Sequence, residues 1–402
     1  MKESNRRWNI FMSVSCQIKN RTVLWIPFSL YAVKMETRSK GGSVADVLRK
    51  INLSAQNFTV HQEKTLRALS YCRTSALGGH IDACDGCGNL SISYNSCRNR
   101  HCPQCQGHKR EEWIQKREQE LLPCSYYHVV FTLPEELNGL AISQPALLYK
   151  TLFEAAWATL NQFGKTEQIQ LGMIAILHTW GQNLSLHPHL HCIVPGGGID
   201  HNGKWKKKVR TDKYLFCVKA MSKVFRAKFV ALLRASGIKD QDLMDKLFTK
   251  NWVVYAKRPF GGPKQVIEYL GRYTHKVAIS NHRIKAVTDH EVRFGYKDYR
   301  KEGQKKEMTL SNTEFVRRFS LHILPKRFVR IRHYGILSSS WKRGKLQDLQ
   351  SDLKIQITEV KPKTLLKKCR CCKEGNLITI ALFGQRGPPQ DFLAVFNASS
   401  AK

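Results

Sequence analysis

The pattern of apolar and polar positions divides the chain into a helical start, a charged linker and a mixed remainder. Residues 44–71 carry apolar side chains at helical spacing, and 108–122 form a charged helical pattern. Short β-rich runs follow at 126–134 and 173–180. Strands that alternate irregularly with helices, without regular βαβ units, predict an α+β sheet domain behind an N-terminal module.

Further elements are predicted along the rest of the chain. Helical patterns cover 142–168, 216–236, 261–280 and 311–325, and strand patterns cover 251–260 and 290–300. The last helix opens with a capping box from Ser311 to Glu314. Gly181, Gln182 and Asn183 separate the strand at 173–180 from the next apolar run, which predicts a hairpin.

That next run, "SLHPHLHCIVPGGG" at 185–198, places histidines at alternate positions. In an extended strand His187, His189 and His191 share one face, while Leu190 and Cys192 share the other. Neutral imidazole is a common ligand for divalent metals, so two such groups on one rigid strand make half a metal site. The alternative is an exposed strand whose polar face happens to be rich in histidine.

The charge of the chain indicates a polyanionic partner. It has 66 Lys and Arg against 31 Asp and Glu, a net charge of +35, and nucleic acid is the commonest partner of such a protein. No run of 18 or more apolar residues occurs, which argues against a membrane partner. The apolar stretch at 22–33 is too short to span a bilayer, and we expect residues 1–40 to be a poorly ordered extension.

The 13 cysteines are clustered, which favours metal ligation in a reducing cytosol over disulfides. Cys84-x2-Cys87 and Cys102-x2-Cys105 are separated by fourteen residues. Two such turns can supply four thiolates to one structural Zn²⁺.

Residues between and before those turns are enough for a second zinc site of the Cys2His2 type, the alternative being that His101, next to Cys102, is a surface residue. Its four candidates are Cys72, His80, Cys97 and His101. Near the other end of the chain, Cys369-x2-Cys372 offers half of a further site, with no partner turn downstream. We expect this last motif to be an unpaired part of a basic tail.

Two tyrosines, Tyr269 and Tyr273, lie four residues apart on the predicted helix after Pro263, so both hydroxyls emerge on one face. Such a pair usually packs into a core. Here Arg272 and His275 flank it. A phenol beside a divalent cation can attack a phosphodiester and form a covalent intermediate. No G-x4-G-K-[ST] loop occurs in the chain, which agrees with a reaction that needs no ATP.

Several motifs, taken in order, resemble one family closely. They are "CRTSALGGH", "CDGCG", "YNSCRNRHCPQC", "FTLP", "LHTWGQNLSLHPHLHCIVPGGG", "AKRPFGGPKQVIEYLGRYTHKVAISN" and "FVRIRHYG". Between residues 44 and 340 the chain resembles the rolling-circle transposases of the insertion sequence ninety-one (IS91) family. These are HUH-type enzymes, named for histidine, hydrophobe, histidine, with an N-terminal zinc-binding domain.

The resemblance implies a single-stranded DNA nickase and strand transferase. His189 and His191 would hold Mg²⁺ or Mn²⁺ at the scissile phosphate. Tyr269 and Tyr273 would be the nucleophiles, one forming a 5′-phosphotyrosine link and the other resolving the transferred strand. The fold it implies is an antiparallel sheet with the histidine strand at its centre and helices on one side.

The third catalytic metal ligand is less well determined. His178 is the first choice, because its spacing from His189 resembles that of conjugative relaxases. A tight turn at Gly181 and Gln182 would leave His178 about four residues, roughly 13 Å, out of register with His189, so the loop must be wider or another strand must contribute. The alternatives are His128, His187 and Gln265.

The resulting domain organisation has four parts. Residues 1–40 are an extension, 41–122 a zinc-binding, DNA-contacting domain, 123–340 the catalytic domain and 341–402 a basic tail. The partners are single-stranded DNA at element termini and target DNA, in the cytoplasm and at the nucleoid of a bacterium. Rival hypotheses are a zinc-containing DNA-binding regulator without chemistry and a plasmid relaxase or replication initiator.

Overall fold

The centre of the molecule is a five-stranded antiparallel sheet. The computed structural model describes residues 42–120, 122, 124–207, 215–257, 271, 276–353 and 367–388. The strands of this sheet are β3 (Tyr126–Thr132), β4 (Gly172–Trp180), β5 (Leu186–Pro195), β8 (Val254–Lys257) and β12 (Ile331–Gly335). Their order is β12-β4-β5-β3-β8, which confirms the prediction that the histidine strand is central. The predicted hairpin is also confirmed, as β4 pairs with β5.

One face of the sheet is covered by two long helices. These are α5 (Pro145–Thr166) and α6 (Val218–Ala235), and a short helix, α4 (Asn138–Ser143), precedes them. Leu190 and Cys192 of β5 are fully buried on this side, together with Phe225 and Phe229 of α6. The apolar half of the alternating β5 pattern therefore forms the main core, which leaves the histidines on the other face.

The other face is covered only in part. Ile174 and Ile193 pack there against Ile114 of α3 (Gln106–Glu118) and against α9 (Lys345–Asp352). Helices thus lie on both faces of the sheet and not on one side alone, because the residues of this face change from histidine to isoleucine along β4 and β5. The isoleucine end of this face packs against α3 and α9.

The N-terminal helices share a core with residues from far along the chain. Helices α1 (Val44–Arg49) and α2 (Val60–Ser70) lie where the helical spacing predicted helices, and both begin at capping boxes. They pack against an antiparallel meander of β9 (Ile284–Val287), β10 (Glu291–Asp298) and β11 (Gln304–Ser311), and against α8 (Asn312–Ser320). Buried Leu66, Phe294 and Phe315 lie in this core.

A separate three-stranded sheet carries the first cysteine turn. It contains β1 (Gly79–Cys84), β2 (Leu90–Tyr94) and β13 (Leu377–Phe383), with β1 in the middle. Six residues of β1, from Gly79 to Cys84, pair with β13. The C-terminal segment therefore belongs to the same structural unit as the N-terminal cysteines, which the predicted boundary at 341 did not anticipate.

Three further elements complete the described strands and α-helices. They are the two-stranded sheet of β6 (Gly197–Ile199) and β7 (Trp205–Lys207) and the helix α7 (Gln241–Thr249). None of the helices in the described ranges has both the length and the apolar character that crossing a membrane requires. The predicted N-terminal extension lies outside the described residues.

Candidate functional site

Three histidines meet on the partly covered face of the central sheet. His189 and His191 come from β5 and His178 from β4, and one ligand nitrogen from each lies within 4.8 Å of the others. Their ring centroids are 4.6 to 5.4 Å apart. We call this group the histidine trio. It has the composition of a three-nitrogen site that leaves further coordination positions for other ligands.

Contacts with neighbouring groups orient each ring of the trio. His189 Nδ1 donates to the carbonyl of His187 at 2.7 Å, so its Nε2 carries the lone pair. His191 Nδ1 lies 2.8 Å from Nε2 of His128. His178 stacks on Trp180 with ring centroids 4.5 Å apart. Such outer contacts fix the ring and tautomer of a metal-binding histidine.

Burial favours the neutral, ligating form of His189 and His191. It lowers the pKa of His189 to about 4, and the nearby positive charges of Lys276 and other histidines act in the same direction. It also lowers the pKa of His191 well below its ordinary value, with His178 and His189 contributing. A neutral imidazole has a lone pair to give, so the site is prepared for a cation at neutral pH.

The register of the hairpin explains how His178 joins the trio. His178 pairs directly with His189, and Trp180 pairs with Leu186, with a shift of register between them. The loop spans residues 181–185 and closes through Gly181 N–H donating to the Ser185 carbonyl at 2.8 Å. Of the two possibilities that the sequence left open, a wider loop or a ligand from another strand, the structure has the wider loop, and the offset expected from a tight turn is absent.

The alternatives for the third ligand occupy other positions. His128, on β3, is buried behind His191 and contacts its Nδ1, so it lies in a supporting position beside the trio. His187 is exposed, and it contacts His189 through its carbonyl and through its ring, whose centroid lies 5.2 Å from that of His189, but it is not one of the converging ligands. Gln265 lies outside the described residues.

The predicted nucleophiles Tyr269 and Tyr273 also lie outside the described residues. Gly271, between them in "YLGRY", is described: it is helical and buried. A Cβ atom added there would overlap Cγ1 and Cδ1 of Ile114. Ile114 packs with Ile174 and Ile193, which share the face of the trio by strand alternation.

The cysteines form two groups of four, and the grouping differs from the prediction. One group, called the inner cluster, contains Cys72, Cys97, Cys102 and Cys105. The other, called the outer cluster, contains Cys84, Cys87, Cys369 and Cys372. The expectation that Cys84 and Cys87 share a site with Cys102 and Cys105 is wrong, because β1 turns toward β13 and brings the C-terminal turn to Cys84.

The two histidines predicted for a second site join neither cluster. His80 lies on β1 with its Nε2 3.5 Å from the Asp82 carboxylate. His101 is buried in a small cavity beside His322 and Arg330, where burial lowers its pKa to about 3. Four sulfur ligands already complete each cluster, so neither histidine is needed there.

Both clusters have the dimensions of a tetrathiolate zinc site. The closest sulfur pairs lie 3.5 to 3.7 Å apart in the inner cluster and 3.7 Å apart in the outer one, and all four sulfurs of each cluster lie within 4.8 Å of one another. A tetrahedron with Zn–S bonds of about 2.3 Å separates its sulfurs by about 3.8 Å. In the outer cluster, backbone N–H groups of Gly86 and Gly375 donate to Cys84 and Cys372 at 3.4 and 3.3 Å, which stabilises thiolates.

Sequence reasoning missed Cys369 and Cys372 as partners of the N-terminal cysteines. Their Cys-x2-Cys spacing was visible, and three such turns with Cys72 and Cys97 supply eight sulfurs, enough for two sites. The contact that joins them is Asp85 with Asn376, whose backbone N–H donates to the carboxylate at 2.6 Å.

Comparison with known proteins agrees with this arrangement. A family model described as "Transposase zinc-binding domain" matches residues 44–133, and one described as "Putative transposase" matches residues 172–345. The chain is 40% identical over 390 residues to the "Putative transposase y4qJ" of Sinorhizobium fredii, covering 87% of this chain and 98% of the relative. This chain belongs to the IS91 family of transposases.

A second relative of this IS91-family transposase is named for its element. The "Transposase for insertion sequence element IS801" of Pseudomonas savastanoi pv. phaseolicola is 29% identical over 289 residues, covering 69% of this chain and 70% of the relative. No solved structure matches the chain. The IS91-family transposase thus carries a zinc-binding domain, and its net charge of +35 suits a protein that processes DNA.

Proposed function

We propose that this IS91-family transposase nicks and transfers single-stranded DNA through a covalent 5′-phosphotyrosine intermediate, at the termini of its element in the bacterial cytoplasm. The observation that carries the proposal is the histidine trio on the central strand pair, with each ring held by a neighbouring group. His178, His189 and His191 are its proposed ligands for Mg²⁺ or Mn²⁺. The two cysteine clusters are its proposed structural zinc sites.

In this proposal a tyrosine hydroxyl, of Tyr269 or Tyr273, attacks the scissile phosphorus. The new bond joins the tyrosine oxygen to phosphorus, and the bond from phosphorus to the 3′ oxygen breaks. The phenol proton ends on that oxygen, which becomes a free 3′-OH. A divalent cation held by the trio would polarise the phosphate. One phosphodiester replaces another, so rejoining needs no ATP.

The proposed role of the trio depends on its supports. His191 Nδ1 and His128 Nε2 lie within hydrogen-bond distance of each other, and His178 is held by stacking on Trp180. Both keep the ligating nitrogens converged before DNA arrives, so little reorganisation is needed on binding. Packing of Gly271 on Ile114 supports a tyrosine segment on the face of the sheet that carries the trio.

The proposed function is tested with purified, zinc-loaded protein and labelled single-stranded DNA that carries the element terminus. With Mg²⁺ or Mn²⁺ we expect a protein–DNA adduct that survives denaturation and is absent with EDTA. Lack of an adduct from folded protein under all metal conditions would reject the nicking function. It would favour the alternative of a DNA-binding regulator without chemistry.

Replacing His128 by phenylalanine is expected to weaken metal binding. The ring volume is largely retained, but His191 loses the partner that orients it. Loss of such a partner typically costs about 10- to 100-fold in metal affinity. Titration of Mn²⁺ against adduct yield measures the shift, and excess Mn²⁺ should restore the rate. An unchanged titration midpoint would show that His128 does not position His191.

Replacing Gly271 by valine is expected to reduce adduct yield strongly, because the new side chain overlaps Ile114. The double variant with Ile114→Ala should regain part of the activity, since it removes the overlapping carbons. The melting temperature of each variant separates this local effect from general unfolding. Full activity of Gly271→Val alone would rule out close packing of the tyrosine segment on α3.

A further inference from the structure

A cavity of about 780 Å³ lies where the meander meets the zinc-binding domain and the hairpin loop. Pro103 and Gln106 of the zinc-binding domain line one side, Gln182 of the loop lines another, and strands β10 and β11 line the third. We call it the basic cavity. The comparisons assign no function to it.

Positive charge dominates the walls of the basic cavity. Six cationic side chains line it: Lys276, Arg283, Lys285, Lys297, Lys305 and Lys306. The acid on its wall, Glu307, lies 3.6 Å from Arg293, and Lys306 is paired with Asp298 at 2.8 Å. Among the described residues, Lys297 and Lys305 form no ion pair, so their charge is available to an anion from outside.

Two tyrosines add flat apolar surface to this charge. Tyr296 lies on β10, in register with Lys306 of β11, and Tyr299 follows the end of the same strand. Tyr299 is 70% exposed, which is unusual for a large ring that has no external partner. Lysines interleaved with exposed aromatic rings are the combination by which proteins hold single-stranded nucleic acid.

The basic cavity is joined physically to the histidine trio. Arg283 donates to the Gln182 carbonyl in the loop between β4 and β5 and to the Gly295 carbonyl of β10 at 2.8 Å. Gln182 lies four residues after His178, which places it within about 13 Å of that ligand along an extended chain. Lys276 lines the cavity, and its positive charge also acts on His189 and His191.

We propose that the basic cavity binds the single strand next to the scissile phosphate, with Lys297 and Lys305 contacting phosphates and Tyr299 stacking on an unpaired base. The identity of this ligand rests on the proposed function, since a nuclease centre a few residues away needs its substrate strand held in a fixed path. The geometry of the cavity itself is independent of any cleavage step.

The test measures DNA binding without cleavage. Fluorescence anisotropy of a labelled oligothymidylate, with EDTA present and over a series of salt concentrations, gives affinity and its salt dependence. Changing Lys297 and Lys305 together to Gln should lower the affinity and reduce the logarithmic salt slope by about 1.4, or about 0.7 for each lost phosphate contact. The matched control changes Lys219 and Lys223 to Gln on α6, which covers the opposite face of the central sheet.

The aromatic contact has its own pair of variants. Tyr299→Ala should weaken binding of the oligothymidylate about 5- to 150-fold, whereas Tyr299→Phe keeps the ring and should bind normally. Binding of a duplex of equal length should be insensitive to Tyr299→Ala, because its bases are paired. Equal losses for duplex and single strand would overturn the single-strand assignment.

These outcomes are separable from the fate of the proposed function. Unchanged affinity and salt slope in the Lys297 and Lys305 variant, with normal adduct formation, would overturn the cavity proposal and leave the nicking function in place. Weakened DNA binding by the Lys297 and Lys305 variant, with no adduct from either that variant or the unaltered protein, would support the cavity proposal and reject the nicking function. Equal losses in the α6 control would show a general charge effect and overturn the proposal.

Discussion

Alanine at both His189 and His191 is expected to abolish adduct formation, with a loss of at least about 1000-fold in cleavage rate, equivalent to about 4 kcal/mol of transition-state stabilisation. The two residues supply two of the three nitrogens that converge on the face of β5. With one imidazole left, the site can neither retain a divalent cation nor fix its position against a phosphate. Cleavage of labelled single-stranded DNA over time measures the loss.

His187→Ala is the matched control for this variant. The residue lies on the same strand and is exposed, its backbone carbonyl accepts the hydrogen bond from His189, and its ring lies beside that of His189 without belonging to the trio. Alanine keeps that carbonyl, so the control should cleave at nearly the normal rate. Single-stranded DNA binding without metal should be retained in both variants. Normal cleavage by the His189 and His191 double variant would remove the trio from the mechanism.

Serine at both Cys369 and Cys372 is expected to halve the zinc content of the protein and to unfold the sheet of β1, β2 and β13. The outer cluster then keeps only Cys84 and Cys87, which cannot hold zinc tightly. Structural zinc supplies about 10 kcal/mol or more of apparent binding free energy in small zinc domains, so its loss should cost most of the local stability. Elemental analysis and protease sensitivity near β1 are the measurements.

Cys371→Ser is a close control for this second prediction. Cys371 lies between the two cysteine ligands in the sequence but is exposed and belongs to neither cluster. It should retain two zinc ions per chain. The same count in the Cys369 and Cys372 double variant would contradict the grouping seen here and restore the one predicted from spacing.

The hairpin shows how far local pattern alone predicts the site. The alternation of histidines with apolar residues along β5 correctly predicted that His189 and His191 lie on one face, because successive side chains of a strand point to opposite faces. The place of His178 depended on the loop, where Leu184 adopts a left-handed conformation (φ 63°) that leucine rarely takes. Neither that conformation nor the register shift at Trp180 has a signal in the sequence.

The cysteine clusters show where prediction fails for a different reason. Short Cys-x2-Cys spacing identifies ligands, but it does not say which two turns share a metal. Here the pairing is decided by β13 lying against β1, a contact between residues nearly 300 positions apart. The fold class and the central position of β5 were predictable from the sequence pattern and the family resemblance, whereas the pairing of β1 with β13 was not.

The most direct test of the central claim is the chemical identity of the covalent link. Adduct formed with single-stranded DNA is digested with trypsin and nuclease, and the nucleotide-bearing peptide is sequenced by mass spectrometry. We predict a 5′-phosphate on Tyr269 or Tyr273, together with a released 3′-OH that a polymerase can extend. Attachment to any other residue, or a product with a 3′-phosphate, would contradict the tyrosine mechanism.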